Sequence, residues 1–225
     1  DKNLKDAKGY NMELGVRGKL FGRLQFDISY FRLLYKNRMG TLVQQDNSGN
    51  AYVYRTNVGS SFTDGLEIFM QYKIPVTNQL FLGIFTTTSY MNARYISGNV
   101  SSGSTNVSLR GKKVEAAPGW ITRNGLELLY KGVSCTILHN YTSSSYSDPL
   151  NTYTPPVSGA KGFTPAYTVW DCNATFRINA MLQLRAGVSN IFDTQYFTKR
   201  PVFYPGPGIW PSDGRNGHVT VSIKL

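Results

Sequence analysis

Several features are scarce in this sequence, and each scarcity excludes a class of protein. No run of 18 or more apolar residues occurs, which excludes a transmembrane helix. The two cysteines and two histidines form no CxxC motif and no metal-ligand spacing. The net charge of +11 is spread along the chain without a block of cations, which argues against nucleic acid as a partner. We interpret these cations as lining a polar interior or as facing an anionic ligand or lipid surface.

Aromatic residues and alternating polarity are abundant. Aromatics make up 13% of the 225 residues, as expected where rings lie at a lipid–water boundary. The clearest alternation begins at Met181, where one set of side chains is apolar: Leu182, Leu184, Ala186 and Val188. The residues between them are polar or small, which predicts a β-strand with one apolar and one wet face.

The same pattern predicts an all-β protein without helices. About nine strands are expected, at Gly9–Leu20, Arg23–Lys36, Ala51–Ile74, Gln79–Ile96, Gly111–Lys131, Val133–Tyr146, Phe163–Ile178, from Met181, and at His218–Leu225. Short turns follow Leu20, Ile74, Lys131 and Ile178, and long polar loops follow Lys36, Ile96, Tyr146 and Tyr196. Short turns that alternate with long loops are typical of an antiparallel up-and-down meander in an outer-membrane barrel.

The charged residues favour the same interpretation, because they share one face of the strands. That face carries Glu13, Arg17, Lys19, Asp27, Glu67, Gln71, Lys73, Asp171, Arg177 and Arg185. An arginine or lysine facing lipid at mid-depth costs about 2–4 kcal/mol, so we expect the charged face to line the interior. A soluble β-sandwich is the alternative, in which the aliphatic face would meet a second sheet.

Several motifs resemble the C-terminal barrel portion of TonB-dependent outer-membrane transporters. The segment Asn190-Ile191-Phe192-Asp193-x-x-Tyr196 is similar to the family's penultimate-strand signature. The loop Tyr204-Pro205-Gly206-Pro207-Gly208, followed by Gly214-Arg215, resembles the loop before the family's final strand. Within the family, this loop is most similar to that of ferric-siderophore receptors of the ferric-citrate type. Further matches lie at Tyr10–Gly15, Asp64–Glu67 and Gly111–Pro118.

The resemblance implies that residues 1–225 are the C-terminal part of a barrel of roughly 22 strands. The plug domain, the TonB-binding segment and the first strands of the family would then be absent, and the chain is expected to be a fragment. Residues 1–6 do not resemble a signal peptide. The chain also ends in Leu225, where the family usually has an aromatic residue.

The function implied by the resemblance is TonB-energised uptake of a scarce ligand, with a ferric siderophore or another anionic iron chelate as the first candidate. Iron would enter only as part of the chelate, and no cofactor is expected. The expected location is the outer membrane of a Gram-negative bacterium, with lipid, lipopolysaccharide and the TonB system as partners. The expected ligand-binding residues of the extracellular loops are Arg94, Arg110, Lys199, Arg200, Tyr204, Trp210 and Arg215.

Two other functions stay open at this stage. A passive porin or a structural barrel fits the strand pattern equally well, and a plug and TonB-binding segment encoded upstream would distinguish a transporter from both. An outer-membrane enzyme would have to use His139 or His218 with Asp171 or Asp193, but no nucleophile is placed beside either histidine by spacing. Cys135 and Cys172 are expected to be small apolar residues on neighbouring strands, with a cross-strand disulfide as the alternative.

Overall fold

The computed structural model describes residues 2–46, 48, 50–201 and 207–224. These residues contain no helix that is long and apolar enough to cross a membrane, and none is assigned as helical at all. Their strands are β1 Lys8–Leu20, β2 Leu24–Gln45, β3 Ala51–Pro75, β4 Leu80–Ser102, β5 Thr105–Ser108, β6 Trp120–Tyr130, β7 Val133–Thr142, β8 Ser145–Tyr146, β9 Phe163–Thr164, β10 Tyr167–Arg177, β11 Leu182–Ser189, β12 Phe197–Lys199, β13 Trp210–Pro211 and β14 Asn216–Ile223.

One antiparallel sheet organises the described part of the chain. Its main path has nine strands in the order β1-β2-β3-β4-β6-β7-β10-β11-β14, so every strand pairs with its neighbours along the chain. Strand β5 pairs only with β4, and β8-β9 and β12-β13 form separate two-stranded ribbons among the loops. The predicted nine-strand meander is therefore confirmed.

The predicted long loops are partly wrong, because two of them contain strand. Residues 37–45 continue β2, and residues 97–108 belong to a hairpin in which Val100 pairs with Val107. Their Gly, Ser, Thr and Asn content indicated a loop, but a ladder needs only backbone partners, which β3 and β4 supply. Residues 111–119, predicted as strand, precede β6 as a loop.

The short turns confirm the predicted tight hairpins. Phe21 and Gly22 both have positive φ, 51° and 66°, and Arg23 donates its backbone N–H to Leu20 O at 3.0 Å. Two central residues with positive φ give the turn type that matches the twist of paired strands.

The apolar face of the sheet is exposed, as expected for a surface that meets lipid. Leu14 is 80% exposed, Val219 71% and Leu126 48%. The hydrophobic residues that are buried in the described chain are few: Val58, Ala93, Tyr95, Leu109, Ala160 and Val169. No second sheet covers the aliphatic face of the described residues, so the soluble-sandwich alternative does not fit.

Glycines on the other face give room to aromatic rings. Gly65 lies directly opposite Phe31, and a Cβ atom at Gly65 would overlap the Phe31 ring. Gly125 is opposite Phe85 in the same arrangement, and a Cβ atom there would overlap the Phe85 ring. A ring that lies flat over a glycine of the neighbouring strand covers bare backbone and pins the register.

The two cysteines lie on adjacent strands of the apolar face. Cys135 pairs with Ala174, and Cys172 pairs with Ile137, so the thiols are diagonal neighbours. Both are free in the structure, in agreement with the interpretation as small apolar residues.

Candidate ligand-binding site

A hollow of about 870 Å³ lies on the polar face, at the end of the sheet that carries the long loops. Its floor is formed by β6, β7 and β10, and the segment after β11 closes one side. Hydroxyl side chains are frequent in its lining: Thr87, Ser89, Thr142, Ser189, Thr198 and Ser212. Among the described lining residues, Arg123 is the single cation, and Asp171 and Asp213 are the two acidic residues. The hollow is therefore lined mainly by uncharged hydrogen-bonding groups and rings.

A row of hydrogen bonds crosses the floor of the hollow. Arg123 donates from Nε to Asn140 Oδ1 at 2.8 Å, and Asn140 donates from Nδ2 to Asp171 Oδ2 at 3.0 Å. The other oxygen of Asp171 accepts the backbone N–H of Asn190 at 2.9 Å. Because the register places these residues on one face of β6, β7 and β10, the row fixes the Arg123 guanidinium in the hollow.

Asn190 holds the wall of the hollow in place. Its side chain donates to the carbonyl oxygens of Thr194 and Asp213 and accepts from the Thr194 N–H at 2.9 Å. The residue is 3% exposed and has φ 52°, a conformation that asparagine tolerates better than most residues. These bonds hold the segment that follows β11 against the residues just before β14.

Asp193 and Gly214 complete this tie. Asp193 Oδ1 accepts the backbone N–H of Arg215 at 2.8 Å. A Cβ atom at Gly214 would lie 2.8 Å from the same Asp193 oxygen, so a larger residue has no room. The asparagine, aspartate and glycine of the sequence motif thus have a structural explanation.

The two aromatic residues of the motif point to opposite faces. Tyr196 stacks on Tyr167 in the hollow, with ring centroids 4.5 Å apart. Phe192 is 71% exposed and meets Trp170 edge to face, at 6.3 Å, on the apolar side. The motif therefore supplies one ring to the hollow and one to the outer surface.

The predicted ligand-binding residues are dispersed, and one of them lines the hollow. Trp210 belongs to that lining and is 53% exposed. Arg94 donates to Gly111 O and to Asn92, Arg200 to Phe163 O and Gly159 O, and Arg215 to Ile191 O. Arg110 and Lys199 are exposed, with no side-chain hydrogen bond to another described residue. Tyr204, Pro205 and Gly206 lie outside the described residues, whereas Pro207 and Gly208 precede β13. The ligand-binding role of these residues stays a prediction.

Arg200 and Arg94 do not line the hollow, each for a different reason. The guanidinium of Arg200 packs over the Phe197 ring at 4.8 Å, and burial lowers its pKa. Arg94 follows the parity of Tyr90 along β4, so it lies on the outward face. The alternation of residues along Gln79–Ile96 already indicated that Arg94 shares the face of Tyr90.

A second cluster, absent from the sequence-based expectations, lies where β2, β3 and β4 extend beyond the hollow. The Arg38 guanidinium is within 5.2 Å of the Tyr35 ring centre and 5.3 Å of that of Tyr95. Its Nη2 atom is 3.2 Å from Glu115 Oε1, and the Tyr95 hydroxyl donates to Glu115 Oε2 at 2.6 Å. Burial and the Glu115 carboxylate both raise the pKa of Tyr95. This cluster locks the segment before β6 onto the wall.

The candidates for a catalytic or metal site are separated. His139 contacts Asn124 and the Trp170 ring on the outward face, while Asp171 and Asp193 hold backbone groups in the hollow wall. His218 packs beside Gly187 on β11. Within the described ranges, no group of three or more histidine, cysteine, aspartate or glutamate residues could hold a metal ion.

Comparison with known proteins agrees with this architecture. The family model described as "TonB dependent receptor-like, beta-barrel" matches residues 1–191. The ferric enterobactin receptor PirA of Pseudomonas aeruginosa is 24% identical over 228 residues, which is 100% of this chain and 29% of PirA.

Two solved structures show the same fold. The ferric citrate transporter FecA, in its unliganded form, is 22% identical with a TM-score of 0.73, over 96% of this chain and 31% of FecA. The siderophore receptor PiuA of Acinetobacter baumannii is 19% identical with a TM-score of 0.72, over 96% of this chain and 28% of PiuA. The chain therefore spans about three-tenths of the length of these proteins.

Proposed function

Because the chain belongs to the TonB-dependent receptor family, as part of its β-barrel, we propose that it forms one section of a receptor for iron chelates. Proteins of this family lie in the outer membrane of Gram-negative bacteria. The complete receptor would take up its ligand with energy from the TonB system, through a barrel of roughly 22 strands.

The observation that carries the proposal is the hollow on the polar face. Its hydroxyl groups, the fixed Arg123 guanidinium and the Tyr167, Tyr196 and Trp210 rings can hydrogen-bond and stack on an organic chelate. Aromatic anchors beside a few placed polar groups are typical of small-molecule sites. PirA and FecA, whose names refer to ferric enterobactin and ferric citrate, support iron chelates as the ligand class.

Iron is proposed to enter only within the chelate, and transport rather than catalysis is proposed as the activity. The separation of the two histidines from Asp171 and Asp193 supports the second point, because no pair of histidine and aspartate is assembled among the described residues.

Binding of ferric citrate and a ferric catecholate to the complete receptor tests the proposal. We expect Trp210→Ala to raise the dissociation constant of the chelate by about 30-fold, as for an aromatic anchor at an interface. Trp170→Ala removes the same ring from the outward face and should leave binding unchanged. Equal affinities of both variants and the unmodified receptor would remove the hollow as the ligand site.

A planar-bilayer measurement separates this function from the passive porin. The unmodified complete receptor should show no steady ion conductance without the TonB system. A steady open conductance, together with no binding of any iron chelate, would favour the porin instead.

A further inference from the structure

The charged side chains of the hollow have a negative net charge. Arg123 is the one cation in its described lining, against the carboxylates of Asp171 and Asp213. The Arg123 guanidinium already donates to Asn140, and Asp171 accepts from Asn140 and from the backbone N–H of Asn190. Asp213 is exposed, and its carboxylate forms no hydrogen bond or ion pair with another described residue. A ligand in the hollow therefore meets one carboxylate that no described cation neutralises.

A second, smaller hollow of about 420 Å³ adjoins the first one on the polar face. Thr87 and Ser89 of β4 line both hollows, so the two spaces share a border there. Glu13, Asp27 and Glu67, from β1, β2 and β3, bring three carboxylates to the second hollow. No lysine or arginine is among its described lining residues. The excess of carboxylates therefore extends along the polar face from β1 to the first hollow.

Most cations of the polar face lie toward the short turns. Arg17 lies opposite Asp27 on the neighbouring strand, and it forms no ion pair among the described residues. The remaining cations that the sequence places on this face are closer to the turns: Lys19, Lys73, Arg177 and Arg185. Arg94 and Arg200, at the level of the loops, donate to backbone carbonyl groups outside the hollow. Although the chain has a net charge of +11, only the Arg123 guanidinium reaches the described lining of the hollow.

We propose that the hollow selects iron chelates whose overall charge is zero or positive, with Asp213 as the residue that sets this preference and the second hollow as its support. The inference rests on the proposed function, since it concerns the ligand of the same hollow. An anionic chelate would bring negative charge beside an unpaired carboxylate in a partly enclosed space, where repulsion is stronger than in bulk water. The uncharged hydroxyls and the stacked rings bind a neutral or cationic chelate without this cost.

Ferric hydroxamates and ferric catecholates represent the two charge classes. Three hydroxamate groups carry one negative charge each and balance Fe(III), and a free ammonium group on the same ligand makes the complex cationic. Three catecholate groups carry two negative charges each and leave the complex strongly anionic. The receptor should therefore bind a ferric trihydroxamate more tightly than a ferric tricatecholate or ferric citrate.

A matched pair of ligands tests the preference without any substitution in the protein. The first is a ferric trihydroxamate with a free ammonium group, and the second is the same chelate with that group acetylated. Acetylation should raise the dissociation constant of the chelate from the complete receptor by about fivefold at low salt, and high salt should narrow the difference. Equal dissociation constants of the two forms at low salt, or tighter binding of a ferric tricatecholate, would overturn the inference.

Asp213→Asn tests the residue to which the preference is assigned. The amide keeps the shape of the side chain and removes its charge, so the dissociation constant of the ammonium-bearing chelate should rise about threefold, whereas that of the acetylated chelate should not change. Asp6→Asn removes the same charge from an exposed residue before β1 and should leave both constants unchanged. Equal responses to Asp213→Asn and Asp6→Asn would contradict the role of Asp213.

The second hollow has its own variant. Asp27→Asn/Glu67→Gln removes two of its three carboxylates and should raise the dissociation constant of the ammonium-bearing chelate by about twofold, again without effect on the acetylated chelate. An unchanged constant for the ammonium-bearing chelate would overturn the contribution of the second hollow.

Failure of this inference is distinguishable from failure of the proposed function. If both hydroxamate chelates bind and Trp210→Ala weakens both, the hollow is the ligand site, and equal affinities of the two chelates then contradict only the charge preference. If neither these chelates nor ferric citrate and a ferric catecholate bind, or if Trp210→Ala leaves binding unchanged, the proposed function fails and the inference fails with it.

Discussion

The two faces of the sheet differ although the same strands and the same register form both. The outward face presents exposed aliphatic side chains such as Leu14, Val219 and Leu126, with rings and cations toward one end. The opposite face carries Glu67, Asp171 and Arg185 and contains the hollow. Because side chains alternate at every residue, the solvent on each side decides the residue type. A residue's face therefore predicts what a substitution does better than its position along the chain.

A charge placed on each face gives the largest expected difference. Ile137, 40% exposed, lies on the outward face of β7 at a level where it pairs with Leu126 and Cys172. Ile137→Arg should lower the free energy of unfolding of the complete receptor in lipid vesicles by about 2–4 kcal/mol, since arginine then faces hydrocarbon. Urea titration measures the change.

The neighbouring residue is the control for this substitution. Thr136 lies on the polar face, opposite Glu127, so Thr136→Arg should change the free energy of unfolding little. A similar loss for both arginine variants would show that the assignment of the two faces is wrong.

The next largest effect is expected at Asn190, which holds the loop beside the hollow. Asn190→Ala leaves part-buried backbone groups of Thr194 and Asp213 without their partner and places alanine at a positive φ. The loss in free energy of unfolding should be about 2–3 kcal/mol. Hydrogen exchange of the segment 207–216 should increase at the same time.

Gln195 provides the comparison for Asn190. It is exposed, and its side chain makes one long bond, 3.4 Å to Asp193 O. Gln195→Ala should therefore leave exchange in the segment 207–216 as it is. If both alanine variants increased exchange equally, the tie made by Asn190 would not be the cause.

A smaller effect is expected on the polar face, at the pair of Gly65 and Phe31. A methyl group at Gly65 meets the Phe31 ring and lies 2.9 Å from Tyr90 O, so Gly65→Ala should cost about 1–3 kcal/mol of stability. Phe31→Leu added to Gly65→Ala should recover part of that loss, because the smaller side chain vacates the space. A double variant whose loss equals the sum of the two single losses would show that the ring is not responsible.

The sequence predicted the two faces but not every partner across them. Alternation at Leu182–Val188 identified β11, and the Asn190–Tyr196 motif marked the loop that borders the hollow, because both signals are local. The pairing of Arg38 with Glu115 joins residues 77 positions apart, and no local pattern encodes it. The hairpin around Val100 and Val107 was missed because its residues have loop-like composition and its stability comes from backbone pairing.

The smallest expected effect concerns Tyr95, which joins the polar face to the segment before β6. Its raised pKa means that the folded state holds the phenolic proton more tightly than the unfolded state, whose value is about 10. The stabilisation that this proton provides is complete below about pH 10 and is lost as the pH rises through the higher folded-state pKa. Tyr95→Phe removes the ionisable group, so the stability difference between the unmodified receptor and this variant should change with pH only above about 10. Urea titrations at pH 8 and pH 11 measure that difference, with Tyr153→Phe, an exposed tyrosine, as the control. A pH dependence in the Tyr95→Phe variant as steep as in the unmodified receptor would assign the alkaline sensitivity to other tyrosines and leave the contact between Tyr95 and Glu115 without a role in it.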